Sequence, residues 1–575
     1  MDEKNGVIAQ STRLRRLGQL DAAWLLLKPL LASGDSAVAE EAALVSEQMG
    51  KRPQAIALLE RVTALSPNRT TAWVNLAAMR AESNDHRGAA DAARVATRLA
   101  PRLIAAWINL GSALAALRDF HGSIDAFSRA VALEPGDPDL NVDLAAAEFS
   151  AGDVGSAARR LQSVVAANPG HTRAHSLLLL VLHHATNDAA GLAQAHFRFA
   201  VSHGVTSMSS MPSTYDQSRP LRVGLVSSDF RQHSVWYFLS SLLNHLPSLG
   251  IELHCFHTDT STDSVTEVWR NRAAAFHDVS RLDDDGAAAE IRASHLDVLI
   301  SLGGHTTSSR PTLFLRRLAP VQASFLGYPG PLGSPNVDYW IADAVVAEAY
   351  DAWGGGVGRV AALPGSYFCF QPLAATPARS AYGGEEPVVF GSFNVLAKIS
   401  AVTVRLWAAV LMRVPGSRLM LKTDSVHGPV SRRIAAEFES LGVASDRIIW
   451  ADWSASRDEH LARYHEIDIA LDTFPYNGAT TNCEALWMGV PVVSLVGNTP
   501  ASRMGRSILT VAGLADWACD TEDQFVAIAE GLAARITALR EERGALRRTI
   551  EQSALCDDAA HARHVADLLK TISAG

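Results

Sequence analysis

The chain has 575 residues, with 51 Lys and Arg against 60 Asp and Glu, a net charge of −9 and a pI near 6.1. Hydrophobic residues make up 48% and charged residues 19%, a balance that excludes a disordered chain and allows large cores. The acidic balance gives no basis for a nucleic-acid partner, and the longest apolar run, Ser176–Leu182, is far too short to span a bilayer.

The first third keeps a strict beat. Pro67, Pro101, Pro135 and Pro169 lie 34 residues apart, and Leu76, Leu110, Leu144 and Leu178 follow the same interval. So do the pairs Trp73 and Trp107, and Asn75 and Asn109, and the small residues Ala55, Ala89, Ser123 and Ala157. A period of 34 with an early aromatic, a small residue mid-way and a closing proline is the tetratricopeptide signature. Each unit is a helix pair: the aromatic and leucine fill the gap, the small residue permits close crossing, and proline cannot continue the second helix. Residues 1–203 are therefore expected to form a helical solenoid, its opening repeat near Thr12–Ala32 imperfect, with a concave surface for a chain-like partner.

Residues 204–220 (GVTSMSSMPSTYDQSRP) read as a linker or a packed connecting loop. Strand and helix signals then alternate. Leu221–Val226, Ile251–His257 and Leu296–Leu302 read as buried strands, with helices over Val235–Leu246 and Val265–Phe276. After a break near Gly383–Pro387 come strands at Val388–Ser392, Arg418–Lys422, Arg447–Ile449, Ile467–Leu471 and Val490–Leu495, with helices over Val402–Arg413 and Thr481–Met488. Continuous apolar strands separated by helices indicate parallel sheets covered on both faces. Two doubly wound lobes follow, residues 221–384 and 385–575, with ligands expected beyond the strand C-termini in the cleft between them.

The stretch Asp468–Pro491 (DIALDTFPYNGATTNCEALWMGVP) carries the most chemistry. A buried strand ends at Asp472, a loop runs to Gly478, and a helix opens at Thr480 and Thr481. Free N–H groups and the dipole at such a helix start suit a diphosphate, and Glu484 could accept from ribose hydroxyls. A Thr/Glu capping box would need no ligand at all. Lys398, after the first strand of the second lobe, could neutralise a leaving phosphate or be a solvated surface lysine. Arg457, His460 and Arg463, three residues apart, share a helical face that could hold a base or phosphate, or simply meet water. In the first lobe the loop Ser227–His233 (SSDFRQH) and His305 each follow a strand. A lone histidine is more often structural than catalytic.

The 34-residue repeats followed by RVGLVSSDFRQH, LGYPGPLGS, FNVLAKI and NGATTNCEALWMGVP, in that order, resemble the O-GlcNAc transferase family. The likeness covers nearly the whole chain. It implies tetratricopeptide repeats joined to a GT-B glycosyltransferase of two Rossmann-like lobes. It also implies inverting, metal-independent transfer of N-acetylglucosamine from UDP-GlcNAc to Ser or Thr hydroxyls of proteins held along the repeat groove. By motif, His233 matches a histidine proposed as base, Asp229 the aspartate of the same loop, and Lys398 the lysine that stabilises departing UDP. Arg457, His460 and Arg463 match positions beside the uracil and ribose, Thr480 and Thr481 the diphosphate pair, and Glu484 a ribose-binding aspartate. Tyr328 and Gly330 fall in the loop beside the sugar, and Asn477 is grouped with the nucleotide-sugar residues. Val395 and Ala479 replace a glutamine and a histidine of animal members, and the PYNGATTNCEALWMGVP segment is at least as similar to Spindly-type fucosyltransferases and other bacterial relatives. Donors such as GDP-fucose or UDP-glucose, or a silent repeat scaffold, are the alternatives.

No cofactor or metal is expected. Asp283-Asp284-Asp285 reads as an acidic turn and N-cap rather than a metal site, His561 and His564 lack a third ligand, and Gly354–Gly356 reads as a turn. Five scattered cysteines without a CxxC pair fit a reducing cytoplasm, and the polar opening MDEKNGVIAQ is unlike a secretory signal.

Overall fold

The computed structural model describes residues 2–205, 207–213, 215–350, 358–371, 386–423, 428–454 and 456–574. Glycines 354–356 and the start of the glycine-rich break before residue 386 lie outside the described residues. The chain divides into two compact units, Met1–Ala151 and Gly152–Gly575.

The first unit is all helix. Asp2–Arg16 and Leu20–Leu27 open it, followed by Ser36–Gln48, Arg52–Leu65, Thr70–Glu82, His86–Leu99, Ile104–Ala116, Phe120–Leu133 and Pro138–Ala151. The periodic residues act as their chemistry requires. Ala55, Ala89 and Ser123 are wholly buried at helix crossings, and the Ser123 hydroxyl donates to the Gly111 carbonyl at 2.8 Å. Helices end two residues before Pro67, Pro101 and Pro135. The Trp73 and Trp107 indoles donate back to the Pro67 and Pro101 carbonyls at 2.7 and 2.9 Å. One further register escaped the sequence reading. Asp85 and Asp119, again 34 apart, cap the second helices by accepting from the Gly88 and Gly122 N–H groups at 2.9 and 3.0 Å. A Cβ at either glycine would strike the capping carboxylate, so Asp and Gly recur together.

The second unit opens with three more helices of the same kind, Val154–Ala167, Thr172–Ala185 and Ala189–Ser202. The connection that follows is packed rather than loose. Arg317 Nε donates to the Ser209 carbonyl at 2.9 Å, and the Arg219 guanidinium grips Asp297 with two bonds of 2.7 Å.

Strands β1 (Leu221–Ser227), β2 (Ile251–His257), β3 (Ala275–Asp278), β4 (Val298–Ser301), β5 (Val321–Ser324), β6 (Tyr339–Asp343) and β7 (Arg359–Leu363) form one sheet. Strands β8 (Val389–Ser392), β9 (Arg418–Thr423), β10 (Ile448–Asp452), β11 (Ile469–Leu471), β12 (Val492–Leu495) and β13 (Ala518–Cys519) form the other. Their orders are β3-β2-β1-β4-β5-β6-β7 and β10-β9-β8-β11-β12-β13, and the pairings are parallel. The long first strand fixes the register, with Leu225 opposite Cys255 on one side and Ile300 on the other. Each sheet reverses direction of winding once, between β1 and β4 and between β8 and β11. Such switch points are where open parallel sheets leave a crevice for ligand.

The sequence missed β3, β5, β6, β7 and β13, and it ran the helix Ser264–Arg272 on into β3. These strands are two to five residues long, too short for periodicity to declare them, and β5 (VQAS) carries a buried glutamine. Gln322 bonds the Leu318 N–H and the Arg316 and Asn336 carbonyls, so its burial depends on a loop that no local pattern reveals. Asp283 caps the helix Asp284–Ala293 by accepting from the Gly286 N–H at 2.7 Å, as the acidic-turn reading expects. The last helix, Asp558–Ala574, returns to pack on the first sheet near β7. Among the described residues, no helix is long and apolar enough to cross a membrane.

Candidate active site

The loops after β1, β4, β8 and β11, at the two switch points, carry most of the residues singled out above. After β11 the chain turns on Asp472, which is buried. Its Oδ1 accepts from the Thr473 and Gly478 N–H groups at 2.8 and 2.7 Å, and its Oδ2 from Asn482 Nδ2 and the Ser494 hydroxyl at 2.8 and 2.6 Å. Four donors offset the cost of an enclosed carboxyl, whose pKa is nevertheless raised by that burial. The loop is thereby held as a rigid ring before the helix Thr480–Trp487. A Cβ on Gly478 would strike the Thr481 hydroxyl and crowd the Asn482 amide, so glycine keeps this part of the ring free of a clash.

That helix has no side-chain cap. Thr481 donates to Asn394 Oδ1 at 3.0 Å, and Glu484 faces away from the helix start, so no Thr/Glu capping box forms. The first-turn N–H groups have no intrahelical acceptors and carry the positive end of the dipole. Lys398, half-buried in the loop after β8, reaches the same place: its Nζ donates to the Asn477 carbonyl at 2.9 Å and lies 4.4 Å from the centre of the Tyr476 ring. Burial lowers its pKa to about 8, with Asp472 acting the other way. The Asn477 side chain itself points into the scaffold, bonding the Thr473 and Leu495 carbonyls and the Gly505 N–H.

Glu484 anchors a second cluster. Arg457 pairs with its Oε1, His460 Nε2 meets its Oε2 at 2.8 Å, and the Tyr464 hydroxyl donates to Oε2 at 3.2 Å. Burial alone would raise this carboxyl, but His460 and Arg457 hold it below the usual range. Lys422 Nζ lies 2.7 Å from His460 Nδ1. An ammonium can only donate, so Nδ1 accepts and the Nε2–H points at Glu484. Arg457 also stacks on Tyr237 of the first lobe, 4.5 Å from the ring centre, which ties the two lobes across the cleft. Arg463 stands apart from its two neighbours: it begins a 3-10 turn, bonds the Ser454 hydroxyl at 3.3 Å and pairs with Glu466.

In the first lobe, the loop after β1 holds Asp229 buried and His233 partly exposed. The His233 Nδ1 is 3.6 Å from Asp229 Oδ2, longer than a hydrogen bond, and 3.4 Å from the Val235 N–H. Burial lowers the His233 pKa, Asp229 opposing and Arg231 assisting, so the ring favours its neutral, proton-accepting form. Tyr328 is placed differently from a sugar-facing residue. It is 3% exposed, and its hydroxyl lies 2.6 Å from His196 Nε2 on a repeat helix. Gly330 continues the same buried turn, its N–H donating to the Tyr328 carbonyl at 2.9 Å. His305 is likewise buried beside the repeats, 3.2 Å from the Ser176 hydroxyl.

Lys422, Tyr464 and Tyr237 belong to this constellation and were missed. Lys422 had a signal, a cation directly after the apolar run Leu419–Leu421 of a buried strand, whereas the tyrosines join the site only through tertiary packing.

Residues 159–371 and 370–565 match the pattern of glycosyl transferase family 41, and residues 40–104 and 114–180 match tetratricopeptide repeats. The chain is 34% identical over 367 residues to "Probable UDP-N-acetylglucosamine--peptide N-acetylglucosaminyltransferase SPINDLY" of Solanum lycopersicum, covering 62% of this chain and 39% of that protein. It is 33% identical over 314 residues to the protein of the same description named SEC in Arabidopsis thaliana, covering 51% and 31%. The chain thus spans less than two fifths of the length of these relatives. Among solved structures, a mutant O-GlcNAc transferase of Thermobaculum terrenum aligns with a TM-score of 0.79 at 29% identity, over 88% of this chain and 98% of that one. With both lobes matched and the repeats preceding them, the chain belongs to glycosyl transferase family 41.

Proposed function

We propose that the protein transfers N-acetylglucosamine from UDP-GlcNAc to Ser or Thr hydroxyls of protein acceptors, in one inverting displacement without a metal. The observation that carries this reading is the meeting of Lys398 with the uncapped start of the helix Thr480–Trp487 at the β8–β11 switch point. A diphosphate there would find a cation and free N–H donors, the neutralisation that a metal supplies elsewhere. Glu484 is buried with both oxygens engaged by Arg457, His460 and Tyr464, so it would meet ribose hydroxyls only by exchanging one of those contacts.

In the transfer, the acceptor oxygen forms a bond to the anomeric carbon as the carbon–oxygen bond to the diphosphate breaks. The hydroxyl proton passes to a base, for which neutral His233 is the candidate, and the bonding pair leaves on UDP, where Lys398 and the helix N–H groups stabilise it. The repeats would present the acceptor chain along their concave surface. Relatives described as UDP-N-acetylglucosamine--peptide N-acetylglucosaminyltransferases support the donor and acceptor class.

Calorimetry with UDP, GDP, UDP-GlcNAc and GDP-fucose, each in EDTA, tests the reading. UDP and UDP-GlcNAc are expected to bind and the guanine nucleotides not to. A metal requirement for binding, or a preference for GDP-fucose, would overturn it.

A further inference from the structure

The second unit begins with repeat helices, and one of them reaches the lysine at the nucleotide end of the cleft. His184, near the end of the helix Thr172–Ala185, is buried, and its ring stacks on Tyr476 with centroids 4.2 Å apart and planes inclined by 27°. Tyr476 is the residue over whose ring the Lys398 ammonium lies, and the next residue supplies the carbonyl that accepts from it. Neighbouring contacts hold the repeat helices to the loops after β8 and β12. Gly152, at φ +94°, lies so close to Leu396 that a Cβ would sit 2.9 Å from the leucine side chain. Asn187 Oδ1 accepts from the Asn498 N–H at 2.8 Å. A repeat helix is thus part of the wall of the lysine pocket.

We infer that His184 is a positioning residue for Lys398, acting through the Tyr476 ring that both of them touch. This rests on the reading of Lys398 as the group that stabilises the departing diphosphate. The histidine does this as a planar apolar surface rather than as an acid or base. Burial holds its pKa down to about 3, with the Leu180 carbonyl opposing and Lys398 assisting, so it is neutral at any working pH. Its Nδ1 lies 3.1 Å from the Leu180 carbonyl, which fixes the plane of the ring. The stack excludes water from one side of Tyr476 and so keeps Lys398 on its carbonyl and in a low-dielectric setting. Of the titratable groups around this lysine, Asp472 at the end of β11 opposes the lowering of its pKa, the Tyr476 ring lies under its ammonium, and Lys398 in turn helps to keep His184 neutral.

The test compares full-length wild type with His184→Ala and His184→Phe. The rate at which acetic anhydride labels Lys398 is followed against pH by peptide mass spectrometry, which needs neither donor nor acceptor. Wild type is expected to half-titrate near pH 8. His184→Ala should move the midpoint up by about a unit or more, towards the value of an open lysine. His184→Phe, which keeps a stacking ring and loses the imidazole, should return it. An unmoved midpoint in His184→Ala, or a phenylalanine that fails to restore it, overturns the inference. Melting temperatures are measured alongside, because a purely structural role would lower both variants without moving the titration. If the alanine variant does not fold, His184→Leu is read in the same way. UDP calorimetry on Lys398→Ala separates the two failures. If that variant binds UDP as wild type does, the reading of Lys398 itself is lost. If it loses affinity while the His184→Ala titration is unmoved, only the role of His184 falls.

Discussion

At the scale of single residues, the site depends on charges held where water is scarce. Lys398 must be protonated to meet a diphosphate, and its lowered pKa of about 8 places the loss of that charge just above neutrality. UDP affinity is therefore expected to be steady below pH 7 and to decline as pH rises through about 8. Bound diphosphate pushes the midpoint upward because it favours the charged form. Lys398→Ala should abolish this limb and slow transfer by about 10²–10³, the usual cost of losing one donor aimed at developing charge. A retained limb near pH 8, or turnover within a few-fold of wild type, would place the leaving-group stabiliser elsewhere. His233 is expected to govern the opposite limb. Its pKa lies below the ordinary histidine value, so activity should fall on the acid side as the ring takes up a proton and can no longer accept one. If His233→Ala lowers turnover yet leaves the acid limb in place, the histidine positions the acceptor and another group takes the proton.

At the scale of elements, the sequence spoke most clearly where the pattern is local. The 34-residue registers, the strands Ile251–His257 and Arg418–Thr423, and the helix at Thr480 were all legible, because repeat spacing, apolar runs and helix starts are properties of neighbouring residues. The seam between the last repeat helices and the first lobe was not. His175, His183 and His196 arise from two helices, His305 and Tyr328 from two loops of the lobe, and nothing in their spacing brings them together. That seam has a measurable consequence. Burial lowers the pKa of His196 to about 4 and those of His183 and His305 well below the ordinary value. Below pH 6.5 the unfolded chain binds protons that the folded seam refuses, so stability should fall between about pH 6.5 and 4 and be indifferent to these groups above 7. For His196 alone the loss is about 3 kcal/mol across that window. Melting curves from pH 7.5 to 4.5 should show the decline, and His196→Gln should make it shallower by the share that His196 contributes. A melting temperature independent of pH in wild type would mean that the seam admits water and protons.

At the scale of the whole molecule, the boundary between the two compact units falls within the repeats rather than where the sheets begin. The helices from Val154 to Ser202 belong to the same compact unit as the two lobes, while Met1–Ala151 forms a unit of its own. Two truncations should therefore behave differently. Removing residues 1–151 takes away one complete unit, so the remaining chain should fold and bind UDP with wild-type affinity while losing transfer to protein acceptors. Removing residues 1–203 cuts into the second unit. It uncovers Leu315, which packs with Leu179, Phe199 and Ala200. It also takes His196 from the buried Tyr328 hydroxyl, Ser176 from His305 and His184 from Tyr476. A buried polar group stripped of its partner costs about 1–3 kcal/mol. Two such groups and an exposed apolar face compete with a total stability of about 5–15 kcal/mol. The longer deletion is expected to yield insoluble or non-cooperative protein, with UDP binding lost along with the fold. A soluble 204–575 fragment that melts cooperatively and binds UDP as the full chain does would show that the lobes stand alone. The buried histidine seam would then be an attachment rather than a part of their core.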